Sequence, residues 1–114
     1  MSWEPVTPRF DDVIHSPTRL RIAAGLATAT ELEFSALEES LGISTSLLSK
    51  QLKVLSEAGY VVLEKRRQAF GRPRTWLSLT PSGRLAFLRH VAALQQIVGD
   101  AEPGGGGPTG SSSA

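Results

Sequence analysis

The sequence predicts an α+β fold, mainly helical: a three-helix core, a β-hairpin and a long closing helix. Three observations carry that expectation. In Ser44 to Gly59, STSLLSKQLKVLSEAG, Leu48, Leu52 and Leu55 recur at i, i+4 and i+7, the spacing of one helical face, while Ser46, Lys50 and Lys53 fall on the other side. Two runs rich in β formers, YVVLEKRRQ and RTWLSLT, flank AFGRP, whose Gly and Pro suit a hairpin tip. Beyond Thr80-Pro81, Leu85, Leu88, Val91, Ala92 and Leu94 to Val98 give a helix more apolar surface than one small core can use.

Taken in order, Pro5 and Pro8 interrupt the first residues, so 1–8 is expected to be a flexible segment and the folded domain to span 9–98. Phe10, Val13 and Ile14 form an i, i+3, i+4 apolar set, a short helical turn ending near His15. Ser16-Pro17 reads as an N-cap with proline at the first helical position. The helix it opens turns Leu20, Ala23, Ala24 and Ala27 inward and leaves Arg19 and Arg21 outside. Ala29 to Glu33 is a loop, and Leu32 to Ser35 allows a short strand. Ser35 and Glu38 have the spacing of a capping box, with Phe34 as hydrophobic staple, which predicts a short helix over Ala36 to Leu41. Leu41-Gly42-Ile43 breaks that helix, and Ser44 caps the next, Thr45 to Ala58, which Gly59 closes. A short helix, a glycine-bearing turn and a longer helix make a helix-turn-helix.

In the second strand Leu77 and Leu79 share one face, and Arg74, Trp76 and Ser78 share the other. Three placements for Trp76 stay open: under the terminal helix, along a subunit seam, or in an effector pocket. Thr80-Pro81 is a second cap-and-proline pair, opening a helix over 81–98. Gly99 to Ala114 is glycine, serine and proline with little that is apolar, so 99–114 is expected to be a disordered tail. Helix, helix, helix, hairpin, helix is the order of a winged helix with an appended terminal helix.

Composition narrows the function. At 114 residues the chain is one domain. A folded part of this size buries only about 60 to 65% of its unfolded surface, so association with a second subunit would add useful burial. There is no cysteine, and His15 and His90 are lone histidines in apolar surroundings, so neither a metal site nor a cofactor is expected. No secretory h-region and no run of membrane-spanning length is present, which points to the cytoplasm. The net charge is only +1, yet Lys65, Arg66, Arg67, Arg72, Arg74, Arg84 and Arg89 follow one another without an acid, while Glu31, Glu33, Glu38 and Glu39 cluster without a base. Such polarity can steer an anionic partner to one side. An enzyme is not expected: no Gly-x-Ser-x-Gly elbow or phosphate-binding Gly-rich loop occurs, and the adjacent Glu38 and Glu39 diverge on a helix.

HSPTRLRIAAGL, LEESLGISTSLLSKQLKVLSEAGYVVLEK and GRPRTWLSLTPSGRLAF, in that order, resemble the winged-helix transcriptional regulators of the MarR and ArsR type. The resemblance covers about His15 to Val98 and implies a symmetric dimer on double-stranded DNA, with each recognition helix in a major groove and each wing on the backbone or minor groove. Carried over, it makes Ser44, Thr45, Ser46, Leu47, Ser49, Lys50 and Lys53 the candidates for groove contacts, and Arg66, Arg67, Arg72 and Arg74 the wing candidates. Lysines can neutralise phosphates or reach guanine acceptors, and arginines suit a narrow minor groove. With no Cys and only His15 and His90, the chain departs from the cysteine or clustered-histidine pattern of ArsR-type metal sensing.

The surplus apolar face of the last helix, through Leu85, Leu88, Val91, Ala92, Leu94, Gln95, Ile97 and Val98, with Phe10 and Val13, is the expected homodimer interface. The expected function is a dimeric repressor reading a palindromic operator whose half-sites lie about 34 to 36 Å apart. Activation, non-specific nucleic-acid binding, and a winged-helix protein-interaction module remain alternatives. A small-molecule effector, whose identity the sequence does not give, would sit at the dimer seam or beneath the wing.

Overall fold

The structure is a computed structural model that describes residues 6–101. Its elements are α1 (Asp12–His15), α2 (Pro17–Ala27), β1 (Leu32–Glu33), α3 (Phe34–Leu41), α4 (Thr45–Glu57), β2 (Val61–Arg66), β3 (Arg74–Leu79) and α5 (Pro81–Ala101). The strands form one antiparallel sheet in the order β1-β3-β2, with Leu32 opposite Leu77 and Val61 opposite Leu79. This is a winged helix: three helices, α2 to α4, against a small sheet, with the β2–β3 hairpin as the wing.

The core is where the leucine spacing places it. Leu48, Leu52 and Leu55 of α4 are fully buried with Ile14, Ile22, Ala23, Leu26, Leu37 and Leu77. Each large side chain buried in this way contributes about 1.5 to 3 kcal/mol, so one face of α4 is firmly committed to the interior.

The helix ends show which local signals act. Ser44 Oγ accepts from the Leu47 amide at 3.1 Å, as expected of the α4 N-cap, and Gly42 closes α3 in the left-handed region at φ 66°. Thr80 Oγ1 accepts from the Gly83 amide at 2.9 Å and donates to the Gly59 carbonyl at 2.7 Å, so one hydroxyl both caps α5 and ties it to the exit of α4. Two expected caps differ. Ser16 makes no side-chain cap bond, leaving Pro17 alone to start α2. Ser35 is not a cap at all: β1 runs directly into α3, Glu33 is the N-cap residue without a side-chain bond, and the helix begins at Phe34. Pairing of Leu32 and Glu33 with β3 sets that boundary two residues before the capping-box reading.

α1 has a cap that the sequence reading passes over, Asp11, whose Oδ1 accepts from the Val13 and Ile14 amides at 2.9 and 3.0 Å. α5 is longer than expected, running beyond Val98 to Ala101. At its start Gly83 lies so close to the chain that an added Cβ would fall 2.1 Å from the Tyr60 carbonyl oxygen. Residues 1–5 and 102–114, which hold most of both predicted flexible segments, lie outside the described residues.

Three arginines act as fasteners. Arg19, expected on the outside, is half-buried, and it donates from Nε to the Val13 carbonyl at 2.6 Å and from Nη1 to Gln51 Oε1 at 2.7 Å, tying α1, α2 and α4 together. Arg21 donates to the Leu41 carbonyl at the end of α3, and Arg84 to the Ala27 carbonyl at the end of α2. A cation at a helix C-terminus satisfies free carbonyls and complements the helix dipole.

Candidate nucleic-acid interface

With Leu48, Leu52 and Leu55 locked inward, the other side of α4 is presented to solvent: Ser44, Thr45, Ser46, Leu47, Ser49, Lys50 and Lys53 are all exposed. Two of the hydroxyls already have local work. Ser44 is the cap, and Thr45 Oγ1 donates to the Glu38 carboxylate of α3, which braces the turn between the two helices. Ser46, Ser49, Lys50 and Lys53 stand outward with Leu47, a surface of hydroxyls, ammonium groups and one apolar contact point. That set matches phosphates, base-edge acceptors and a thymine methyl respectively.

The wing divides its arginines into two kinds. Arg66 and Arg74 are paired across the hairpin, an arrangement that sets two positive charges side by side. Acids from the β1 segment relieve it. Arg66 donates to both carboxylate oxygens of Glu31, at 2.6 and 2.9 Å, and to Glu64 at 2.9 Å. Arg74 reaches both oxygens of Glu33 at 3.1 Å. The hydrogen bond from Arg66 holds the Glu31 carboxyl below the usual carboxylate range and pushes the guanidinium pKa further up, so both stay charged. Arg67 and Arg72 lie nearer the tip, exposed and facing outward.

This changes the charge picture drawn from the sequence. Glu31 and Glu33 do not form an acidic pole apart from the basic run; the fold brings them against it. Among the described residues the exposed cations of this face without an ion pair are consequently Lys50 and Lys53 of α4 and Lys65, Arg67 and Arg72 of the wing. Trp76 is half-buried on the sheet face opposite Leu77, with the Arg66 guanidinium 5.0 Å from its ring centre. It is part of the wing's brace.

The candidate subunit-contact residues fall into two groups. Leu85, Ile97 and Val98 are exposed at 41%, 53% and 66%, Gln95 is exposed, and Leu88, Val91, Ala92 and Leu94 are half-buried along the same helix. Val13, by contrast, packs against the core, and Phe10 lies against the rings of His15 and His90 at 4.5 and 4.9 Å. His90 is fully buried, its Nδ1 accepting the Asp11 amide at 2.9 Å. Burial first, then the nearby His15, lowers its pKa from the ordinary value. Tyr60 donates its hydroxyl to Asp11 Oδ2 at 2.6 Å, which raises the phenol pKa.

Beside these groups Arg9, Asp11, Tyr60, Ser82, Leu85, Ala86 and Arg89 line an open cleft of about 360 Å³. Among the described residues no group of three His, Cys, Asp or Glu is placed to hold a metal ion, and no helix is long and apolar enough to cross a membrane.

A helix-turn-helix with an exposed hydroxyl-and-lysine face, followed by a braced basic hairpin, defines the class: a winged-helix DNA-binding domain. The chain belongs to the winged helix DNA-binding domain family, which it matches over residues 18–98, and is a regulator of the MarR type. It is 32% identical over 85 residues to an uncharacterized protein of Methanocaldococcus jannaschii, covering 75% of this chain and 91% of that one. Among solved structures it is similar to a transcriptional regulator homologue of Pyrococcus horikoshii OT3, with 26% identity, a TM-score of 0.70, and coverage of 75% of this chain and 84% of that one. It is also similar to the transcriptional repressor BigR of Xylella fastidiosa, with 29% identity, a TM-score of 0.54, and coverage of 75% and 78%.

Proposed function

We propose that the protein is a dimeric, sequence-specific repressor that reads a palindromic operator with α4 in the major groove and the wing on the backbone and minor groove. The observation that carries this is the division of α4. Leu48, Leu52 and Leu55 are fully buried, and every candidate contact residue from Ser44 to Lys53, Leu47 included, is exposed, so the helix is held by one face with the other free to enter a groove.

Lys50, Lys53, Arg67 and Arg72 supply phosphate contacts and with them salt-sensitive affinity. Ser46, Leu47, Ser49 and Lys50 supply base preference. Arg66 and Arg74, being ion-paired, hold the wing in position and contribute less directly. The exposed apolar stripe of α5 pairs two copies, the arrangement that matches the two-fold symmetry of an operator. Repression, by occluding a promoter, is favoured over activation by the similarity to the transcriptional repressor BigR. Such a protein acts in the cytoplasm, where its DNA is.

Binding to operator fragments under a salt titration tests this reading. Lys50→Ala should weaken binding to the preferred duplex more than to a scrambled one, by about 1 to 3 kcal/mol if the lysine reads a base edge. Equal weakening on both duplexes makes Lys50 a phosphate contact, and no weakening on either removes α4 from the interface.

A further inference from the structure

Phe70 stands 93% exposed at the tip of the wing, more than any other large apolar side chain among the described residues. Folding gains nothing from this ring. A hairpin tip accepts glycine, asparagine or serine without loss, and the ring lies beyond the residues packed against the core. Its neighbours carry charge: Arg67 on one side and Arg72 on the other are both exposed, whereas Arg66 and Arg74 lower on the strands are held by Glu31 and Glu33. Gly71, next to the ring, takes the left-handed turn conformation at φ 85°. The tip therefore presents one aromatic face between two outward guanidiniums.

A partner fitted to that tip is narrow, apolar along its walls and bordered by two rows of negative charge. The minor groove of duplex DNA has this form, with sugars as walls and phosphates as rims, and apolar side chains enter it by parting a base step. A docking protein would ordinarily need a broader apolar patch than one ring.

We propose that Phe70 is a minor-groove wedge. Its ring enters the groove beside the half-site read by α4, partly unstacks one base step, and is held there by Arg67 and Arg72 on the flanking phosphates. Because pyrimidine–purine steps open most readily, the wing reads the deformability of DNA that α4 does not touch. The proposal rests on the DNA-binding reading above and adds a specificity-determining residue to it.

The test uses the full chain and the duplex recovered by selection from a random-sequence pool, with 2-aminopurine placed in turn at each adenine flanking the half-sites. The wild-type protein should raise fluorescence at one step per half-site. Phe70→Ala, at an exposed position where folding is checked by circular dichroism, should lose that signal and bind about tenfold more weakly with an unchanged salt slope. Arg72→Ala should keep the signal at saturation and lower the slope. Wild-type selectivity with no effect of Phe70→Ala overturns the wedge alone, whereas a wild-type chain that prefers no duplex overturns the DNA-binding reading with it. If Phe70→Ala leaves DNA binding intact but abolishes binding to phosphatidylglycerol vesicles, the ring serves a lipid surface and the wedge is again overturned.

Discussion

His90 of α5 lies fully buried against the start of α1, with Nδ1 accepting the Asp11 amide and Nε2 without a partner among the described residues. The groups around it are His15, Asp11 and Asp12 on the α1 side, and its pKa is lowered from 6.5. The neutral form is thus the folded form. As pH falls below about 6.5 the unfolded chain takes up a proton that the fold resists, so stability is full above that pH and declines through the window beneath it. Thermal unfolding from pH 8 to pH 5 should show this decline, and His90→Asn, which keeps an acceptor but cannot titrate, should flatten it. Gly83 is decisive for a different reason. A methyl there meets the Tyr60 carbonyl, so Gly83→Ala should cost about 1 to 3 kcal/mol in denaturant unfolding. Neither effect was legible in the sequence, where His90 read only as a lone histidine and Gly83 as an ordinary residue of PSGR. Both depend on chain segments distant from them. The Asp11 cap had a signal that the apolar spacing passed over: an acid within the first turn before Val13 and Ile14 is an N-cap candidate.

At the scale of elements, α4 is the part the sequence specified best, because its leucine spacing and its Ser44 cap act within the helix itself. α3 is the instructive exception. Ser35 and Glu38 have capping-box spacing, yet the pairing of β1 with β3 decides where the helix starts, and that pairing joins residues more than forty positions apart. The wing shows the same limit. Arg66 and Glu31 lie 35 positions apart, and Arg74 and Glu33 lie 41 apart, so the basic run looked uniformly available until the fold divided it. From this division comes a contrast between two arginines of one hairpin. Arg72→Ala should lower the salt dependence of DNA binding by about one phosphate equivalent, with stability unchanged. Arg66→Ala should leave that slope nearly intact and raise hydrogen exchange across β2 and β3, because it removes the contact to Glu31 and the cover over Trp76. Equal salt slopes for the two variants would show that the ion pair opens on DNA.

The whole molecule presents a rigid reading head joined to a helix with spare apolar surface. α5 has 21 residues, about 30 Å of helix, and from Gln95 to Asp100 every residue is exposed. The proposed dimer would cover this stripe, and Ile97→Glu should shift sedimentation toward the monomer and weaken operator binding by more than the loss of any one lysine, since both half-sites then bind independently. Overall architecture followed from the order of the elements, whereas apolar spacing alone did not show that Val13, expected at an interface, is half-buried and packs against the core. The central claim is sequence-specific reading by two symmetry-related copies. Selecting genomic duplex fragments with the full chain at near-physiological salt, then sequencing what is retained, tests it most directly. The expected result is an enriched inverted repeat with half-site centres about one helical turn apart. Retention with no shared motif, vanishing as salt rises, would contradict it and leave only electrostatic attraction to DNA.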